Sequence, residues 1–115
     1  MGFLSRFFGS TPAVDEVDVA TTVASLRDPA VQIVDCRMQR EWDAGHIKGA
    51  VLMPLGSIGG RQGELDPARP VIVVCRSGHR SAVAARQLAG AGFDDVRSMK
   101  GGIAAWTRAG NRLVS

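Results

Sequence analysis

Pro70 is followed by four consecutive β-branched residues, Val71-Ile72-Val73-Val74, then by Cys75-Arg76-Ser77-Gly78-His79-Arg80 and an Ala-rich stretch over residues 81–89. A strand that is apolar on both faces must be covered on both sides, as in a parallel sheet, and the Ala-rich stretch has the composition of a helix. The six-position segment between them therefore folds tightly over a helix N-terminus. Unpaired backbone N–H groups and the positive end of the helix dipole there favour an anion, either a thiolate or an anionic sulfur or oxygen ligand. Arg76 and Arg80 add two positive charges beside Cys75, which predicts a thiol pKa below the free value of about 8.5. The alternative is a small buried cysteine that merely ends a strand. Such a residue has no use for two flanking arginines and a donor-rich loop.

The rest of the chain alternates between the same two kinds of element. Residues 14–17 read as a short edge strand, after which Asp18 N-caps a helix that runs to Leu26 and is stopped by Asp28-Pro29. Residues 31–35 form the next strand, 40–44 a short helical turn, and 50–53, before Pro54, a third strand. The Gly-rich stretch 57–66 reads as a loop or single helical turn. The helix after the cysteine loop ends in a Schellman motif, with Gly92 at C′ and Phe93 touching Leu88. A last strand over 95–99 precedes Gly101-Gly102 and a closing helix over 103–109. Alternation of this kind predicts a mainly parallel sheet with right-handed crossovers, and in such sheets ligands sit beyond the carboxyl ends of the strands. Cys75 and Asp35-Cys36-Arg37 both lie at carboxyl ends, so one crevice can receive both.

A chain of 115 residues with 45% apolar side chains supports one core. It contains no run of 18 apolar residues and no N-terminal apolar segment with a cleavage site, so the expectation is a cytoplasmic protein without a membrane span. Its two cysteines are far apart in sequence with no CxxC, and two histidines without a cysteine cluster do not make a zinc site. No metal or other cofactor is expected, and a reducing compartment would leave Cys75 free to cycle. The net charge of +3 raises nucleic acid as a partner, but the arginines are dispersed and only 5% of residues are aromatic. The surplus charge is better matched to drawing small anions to the active loop.

The spacing from Cys75 to Arg80 is C-x4-R, one residue shorter than the tyrosine-phosphatase-type C-x5-R, and a smaller ring of amides closes on a smaller anion or a single sulfur atom. At this point the chain resembles the rhodanese superfamily. Asp35-Cys36-Arg37, Glu41-Trp42 and Gly45-His46-Ile47-Lys48-Gly49-Ala50 resemble that family's first signature, and Lys100-Gly101-Gly102-Ile103-Ala104-Ala105-Trp106 its closing one, over roughly residues 15–114. The resemblance implies an α/β three-layer fold, a mainly parallel sheet of four to five strands with helices on both faces. It also implies a single-domain thiosulfate sulfurtransferase working through a persulfide on Cys75. The donor would be a small anionic sulfur compound, and the acceptor cyanide or a thiol. A protein sulfur donor or acceptor, and a carrier or interaction module on the same fold, remain alternatives. An arsenate reductase or phosphatase is a third, disfavoured by loop length.

On this reading Cys75 is catalytic, and Arg76, Ser77, Gly78, His79, Arg80, Ser81 and Arg37 bind substrate, with Asp35 and Glu41 in support. Arg37 has two readings, an anion-binding group or an ion pair with Glu41 or Asp35. His79 either donates to a bound anion or points into solvent, and His46 reads as a structural hydrogen-bonding residue. Cys36 either takes part in redox chemistry with Cys75, which requires Cα atoms within about 7 Å, or is simply buried. Residues 1–12 form an extension ahead of a domain over 13–115. Its Phe3/Phe7 and Leu4/Phe8 spacing allows an amphipathic turn that packs on the domain, joins a homodimer or touches a membrane; packing or dimer contact is the preferred reading, leaving monomer or homodimer open.

Overall fold

The computed structural model describes residues 14–115, so the reading of the Phe-rich extension lies outside the described residues. Five strands form one sheet: β1 (Asp15–Val17), β2 (Gln32–Asp35), β3 (Val51–Leu52), β4 (Val71–Val74) and β5 (Val96–Met99), in the order β1-β5-β4-β2-β3 with every pair parallel. The β-branched run is the central strand, and all four of its residues are buried. β1 is an edge, as its position and half-exposed residues require.

Alternate residues of the strands feed two cores. One face gathers Val34, Cys36, Val73, Cys75 and Val96 beneath α3 (Ile58–Arg61) and α4 (His79–Gly90). The other gathers Ile33, Ile72, Val74 and Met99 beneath α1 (Val19–Ser25) and α5 (Gly102–Arg108), with Ile103 and Trp106 as the principal contacts. α2 (Gln39–Asp43) sits between β2 and β3. The sandwich of helix, parallel sheet and helix is the predicted α/β three-layer arrangement.

Local chemistry explains the boundaries. Asp18 caps α1 by accepting from the Thr21 amide at 2.7 Å. α4 closes in the predicted Schellman motif: the Phe93 amide donates to the Leu88 carbonyl, the Gly92 amide to that of Ala89, and Leu88 and Phe93 share one core. One element differs from expectation. α4 begins at His79, so only Cys75, Arg76, Ser77 and Gly78 are non-helical between strand and helix. The Gly-rich stretch contains a full turn, α3, flanked by 3-10 turns at Leu55–Ser57 and Gln62–Glu64. Glycines disfavour helix, but fully buried Ile58 and the Arg61 guanidinium, which donates to the Leu52 carbonyl at 2.9 Å, hold the segment against the sheet. Tertiary anchoring overrides propensity here.

Candidate active site

Cys75 is the first residue beyond β4, fully buried, at the mouth of α4. Its sulfur accepts from the Gly78 amide at 3.0 Å and lies 3.4 Å from the Ser81 hydroxyl oxygen. Ser81 is itself fixed by the Gly78 carbonyl at 3.2 Å and by the Ser98 hydroxyl at 2.7 Å. Gly78 is the N-cap residue of α4 and has φ of 105°, a left-handed conformation that favours glycine and that turns its amide towards the sulfur.

A second helix supports the loop from below. The Ile103 amide donates to the Cys75 carbonyl at 2.8 Å and the Ala104 amide to the Arg76 carbonyl at 3.1 Å. α5 comes this close because Gly102 has no side chain: a Cβ there would strike the Cys75 carbonyl oxygen and the Arg76 backbone, and its φ of 62° is left-handed as well. The G-G-x-x-x-W signature is thus a docking device for the active loop.

β2 ends alongside. Asp35 pairs with Val74 in register and the Cys36 amide donates to the Val74 carbonyl at 2.9 Å, which brings Cys36 beside Cys75 on the same face of the sheet. A thiolate at Cys75 is favoured by the Cys36 thiol beside it. This is the largest influence lowering the Cys75 pKa, followed by the Ser81 hydroxyl and the Ser81 and Gly78 amides, against an opposing contribution from burial. Cys36 is pushed the other way, because it lies beside Cys75, is buried, and faces the charges of Cys75 and Asp35.

The lowered thiol was expected, but its cause is different. Arg80 does not serve as a cation aimed at Cys75; both of its terminal nitrogens bind Glu41, at 2.7 and 2.9 Å. Arg80 in turn lowers the Glu41 carboxyl to about 2. A bidentate partner at hydrogen-bond distance wins over a thiolate further away. Arg37 pairs with Asp35 rather than with Glu41: its Nε and one terminal nitrogen hold the carboxylate, and the same terminal nitrogen donates to the Gly45 carbonyl at 2.7 Å. Both members are buried, so this pair ties the end of β2 to the turn before His46. His46 stacks on Trp42 with ring centroids 3.5 Å apart, and its Nδ1 lies 3.0 Å from the Trp42 carbonyl, a structural placement.

Arg76 is exposed and borders a cleft of about 390 Å³ shared with Arg37, Glu41, Ala44, Ile103, Ala104 and Thr107. His79 is exposed at the first turn of α4, its Nδ1 3.2 Å from the Ser77 hydroxyl. The sequence reading missed Ser98. A serine at a buried position of β5, two residues from Val96 and hence on the same face, was the available signal.

Comparison with known proteins places this geometry. The family model for the rhodanese-like domain matches residues 19–109. The chain belongs to the rhodanese family. This rhodanese-family protein is 42% identical over 80 residues to the thiosulfate sulfurtransferase GlpE of Shewanella oneidensis, covering 70% of this chain and 79% of that one. It is 36% identical over 102 residues to the GlpE of Pseudoalteromonas translucida, covering 89% and 97%. Among solved structures, the rhodanese-like domain of the Anabaena Alr3790 protein superposes with a TM-score of 0.81 at 28% identity, over 90% of this chain and 80% of that one. Among the described residues no helix is long and apolar enough to cross a membrane, and no group of His, Cys, Asp and Glu side chains is placed to hold a metal ion.

Proposed function

We propose that this protein is a thiosulfate sulfurtransferase that carries sulfur as a persulfide on Cys75. The observation that carries the reading is the buried Cys75 sulfur with the Gly78 amide at 3.0 Å and Ser81 beside it at the start of α4. These donors hold a thiolate at neutral pH, and a thiolate needs no general base. Cys75 attacks the outer sulfur of thiosulfate; the S–S bond breaks and sulfite leaves with the electron pair. A thiophilic acceptor, cyanide or a thiol, then takes the outer sulfur and restores the thiolate.

Arg76, exposed at the cleft, draws the anionic donor in, and Ser77 and His79 are exposed on the same loop and first turn of α4. Gly78 and Ser81 stabilise charge on sulfur as it moves. Arg80 and Arg37 act through their carboxylate partners: Glu41–Arg80 holds the first turn of α4 against α2, and Asp35–Arg37 fixes the end of β2.

Intact-protein mass spectrometry after exposure to thiosulfate tests this. One sulfur atom should add to the protein, leave on addition of cyanide with formation of thiocyanate, and never appear in Cys75→Ser. A sulfur atom that loads on Cys75→Ser would overturn the assignment. A carrier is the second reading, favoured by 36% identity over 80 residues to a Bacillus subtilis protein named a putative sulfur carrier, of which this chain covers 43%. A protein that loads once but shows no multiple turnover with free cyanide would be such a carrier.

A further inference from the structure

Cys36 is not used by the sulfurtransferase cycle as a carrier of sulfur, yet the fold places it against the nucleophile. β2 and β4 are parallel neighbours, with Val34 opposite Val73 and Asp35 opposite Val74; Cys36 and Cys75 are the next residues of each. The Cys36 amide bond to the Val74 carbonyl carries the ladder to this point. Adjacent strands lie about 4.8 Å apart, within the Cα separation of about 4.4–6.8 Å that a disulfide spans. Opposed residues of parallel strands point to the same face, and both side chains belong to one buried core. Both cysteines are free and buried.

We propose that Cys36 is a resolving thiol, which discharges the Cys75 persulfide as hydrosulfide and leaves a Cys36–Cys75 disulfide; the proposal rests on the persulfide reading above. Thiosulfate and the Cys75 thiolate give the anionic Cys75 persulfide and sulfite. Cys36 then attacks the inner sulfur: the Cys36–Cys75 S–S bond forms, the bond to the outer sulfur breaks, and the proton of Cys36 leaves on the outer sulfur as HS⁻. The outer sulfur is reduced and the Cys36 sulfur oxidised by the same electron pair. No oxidant other than the sulfur donor is consumed. A dithiol reductant resets the pair by exchange.

The directions of approach suit this division. Cys36 lies on the β2 side of Cys75, whereas the Gly78 amide and Ser81 meet its sulfur from α4. An outer sulfur held on the α4 side would leave away from the attacking thiol, towards donors able to take its developing charge. Burial and the neighbouring thiolate keep Cys36 protonated before loading; conversion of Cys75 to the persulfide moves the negative charge from the inner to the outer sulfur and eases that restraint. When acceptor is plentiful, the outer sulfur is taken first. When it is scarce, the internal reaction converts the enzyme to a sulfide-releasing reductase of the donor.

The test is a single turnover of the reduced full chain with one equivalent of thiosulfate, without oxygen, cyanide or free thiol, quenched by an alkylating agent. Wild-type protein should release up to one equivalent of sulfide beyond its sulfite, lose two hydrogens in mass, and yield a Cys36–Cys75 linked peptide on non-reducing digestion. In Cys36→Ser, which keeps a hydroxyl donor beside Cys75, sulfide release should fall at least tenfold while the added sulfur persists. Wild-type protein that retains its sulfur as long as Cys36→Ser, with no linked peptide, would overturn the resolving role and leave the sulfurtransferase reading standing. Absence of sulfite release from wild-type protein would remove that reading and this inference with it. The linked peptide is read on wild-type protein, so the result does not depend on the folding of a variant.

Discussion

Two helices begin at the active loop, and their first amides are used for opposite purposes. At the start of α4, the Gly78 amide faces the Cys75 sulfur and the Ser81 hydroxyl stands beside it. At the start of α5, the Ile103 and Ala104 amides are committed to the carbonyls of Cys75 and Arg76. Both ends offer the same unpaired donors and both depend on glycine. The second has been given over to scaffold: by fixing the carbonyls of the loop it leaves the loop's own amides directed at the sulfur. A helix N-terminus next to a nucleophile is therefore not automatically a ligand site; its role depends on which backbone groups reach it first.

Breaking the scaffolding end should have the largest effect. In Gly102→Ala the new methyl group meets backbone of Cys75 and Arg76, which cannot swing away as a side chain would, and the left-handed φ adds strain. We expect a loss of about 3 kcal/mol or more in denaturant unfolding, or no soluble folded protein, with thiocyanate formation falling in parallel. A stable Gly102→Ala protein with full activity would show that the docking of α5 does not shape the loop.

Altering the α4 end should change chemistry more than stability. Ser81→Ala removes the hydroxyl beside the sulfur, so the Cys75 pKa should rise from its lowered value of about 4, and alkylation by iodoacetamide below pH 4 should slow by up to about tenfold per pKa unit. The wild-type pair also predicts a pH profile. Cys75 is deprotonated in the fold at pH values where the unfolded chain still holds that proton, so stability should rise with pH up to about 8.5. Cys36 keeps its proton in the fold where the unfolded chain loses it, so stability contributed by the pair should decline above about 9. In Cys36→Ser the alkaline decline should vanish, as measured by urea unfolding across that range.

Most of the scaffold was readable before any coordinates. The β-branched run, the Asp18 cap and the Gly92 stop each rest on chemistry confined to a few neighbouring residues, and each appears where it was placed. The Ser57-to-Asp66 stretch was harder because what makes it helical is not local: Ile58 is buried by the rest of the fold, and Arg61 bonds to β3. The site divides in the same way. Cys75 and its loop stand in a continuous motif, whereas Glu41–Arg80, Ser81–Ser98 and Cys36–Cys75 join residues of different elements far apart in the sequence. Charge near a cysteine could be counted in the sequence, but the partner each charge would choose could not.

Arg76 is the exposed cation of the loop, and its role should be visible as binding rather than chemistry. In Arg76→Ala the KM for thiosulfate should rise several-fold with little change in kcat, and the difference from wild type should shrink as ionic strength increases, because exposed charges are screened over about 10 Å at 0.1 M salt. A fall in kcat at unchanged KM would instead place Arg76 in the transition state.

The smallest effect is expected at Glu41, on the outer side of α4. The Glu41–Arg80 pair is about a third exposed, so its worth is limited by solvent screening, and Glu41→Gln should cost about 1 kcal/mol or less in unfolding free energy. Its consequence for the loop is more informative than its stability. With the carboxylate gone, Arg80 loses its bidentate partner and its positive charge is no longer offset near the first turn of α4. If Glu41 serves to divert that charge from the sulfur, Glu41→Gln should lower the apparent pKa of Cys75 slightly further, and alkylation at the acid end of the profile should quicken. If the pair instead holds the α4 end in place, the same variant should slow alkylation and raise the KM for thiosulfate. The acid limb of the alkylation profile distinguishes the two, and the second outcome is expected, because the bidentate pair joins α2 to the first turn of α4.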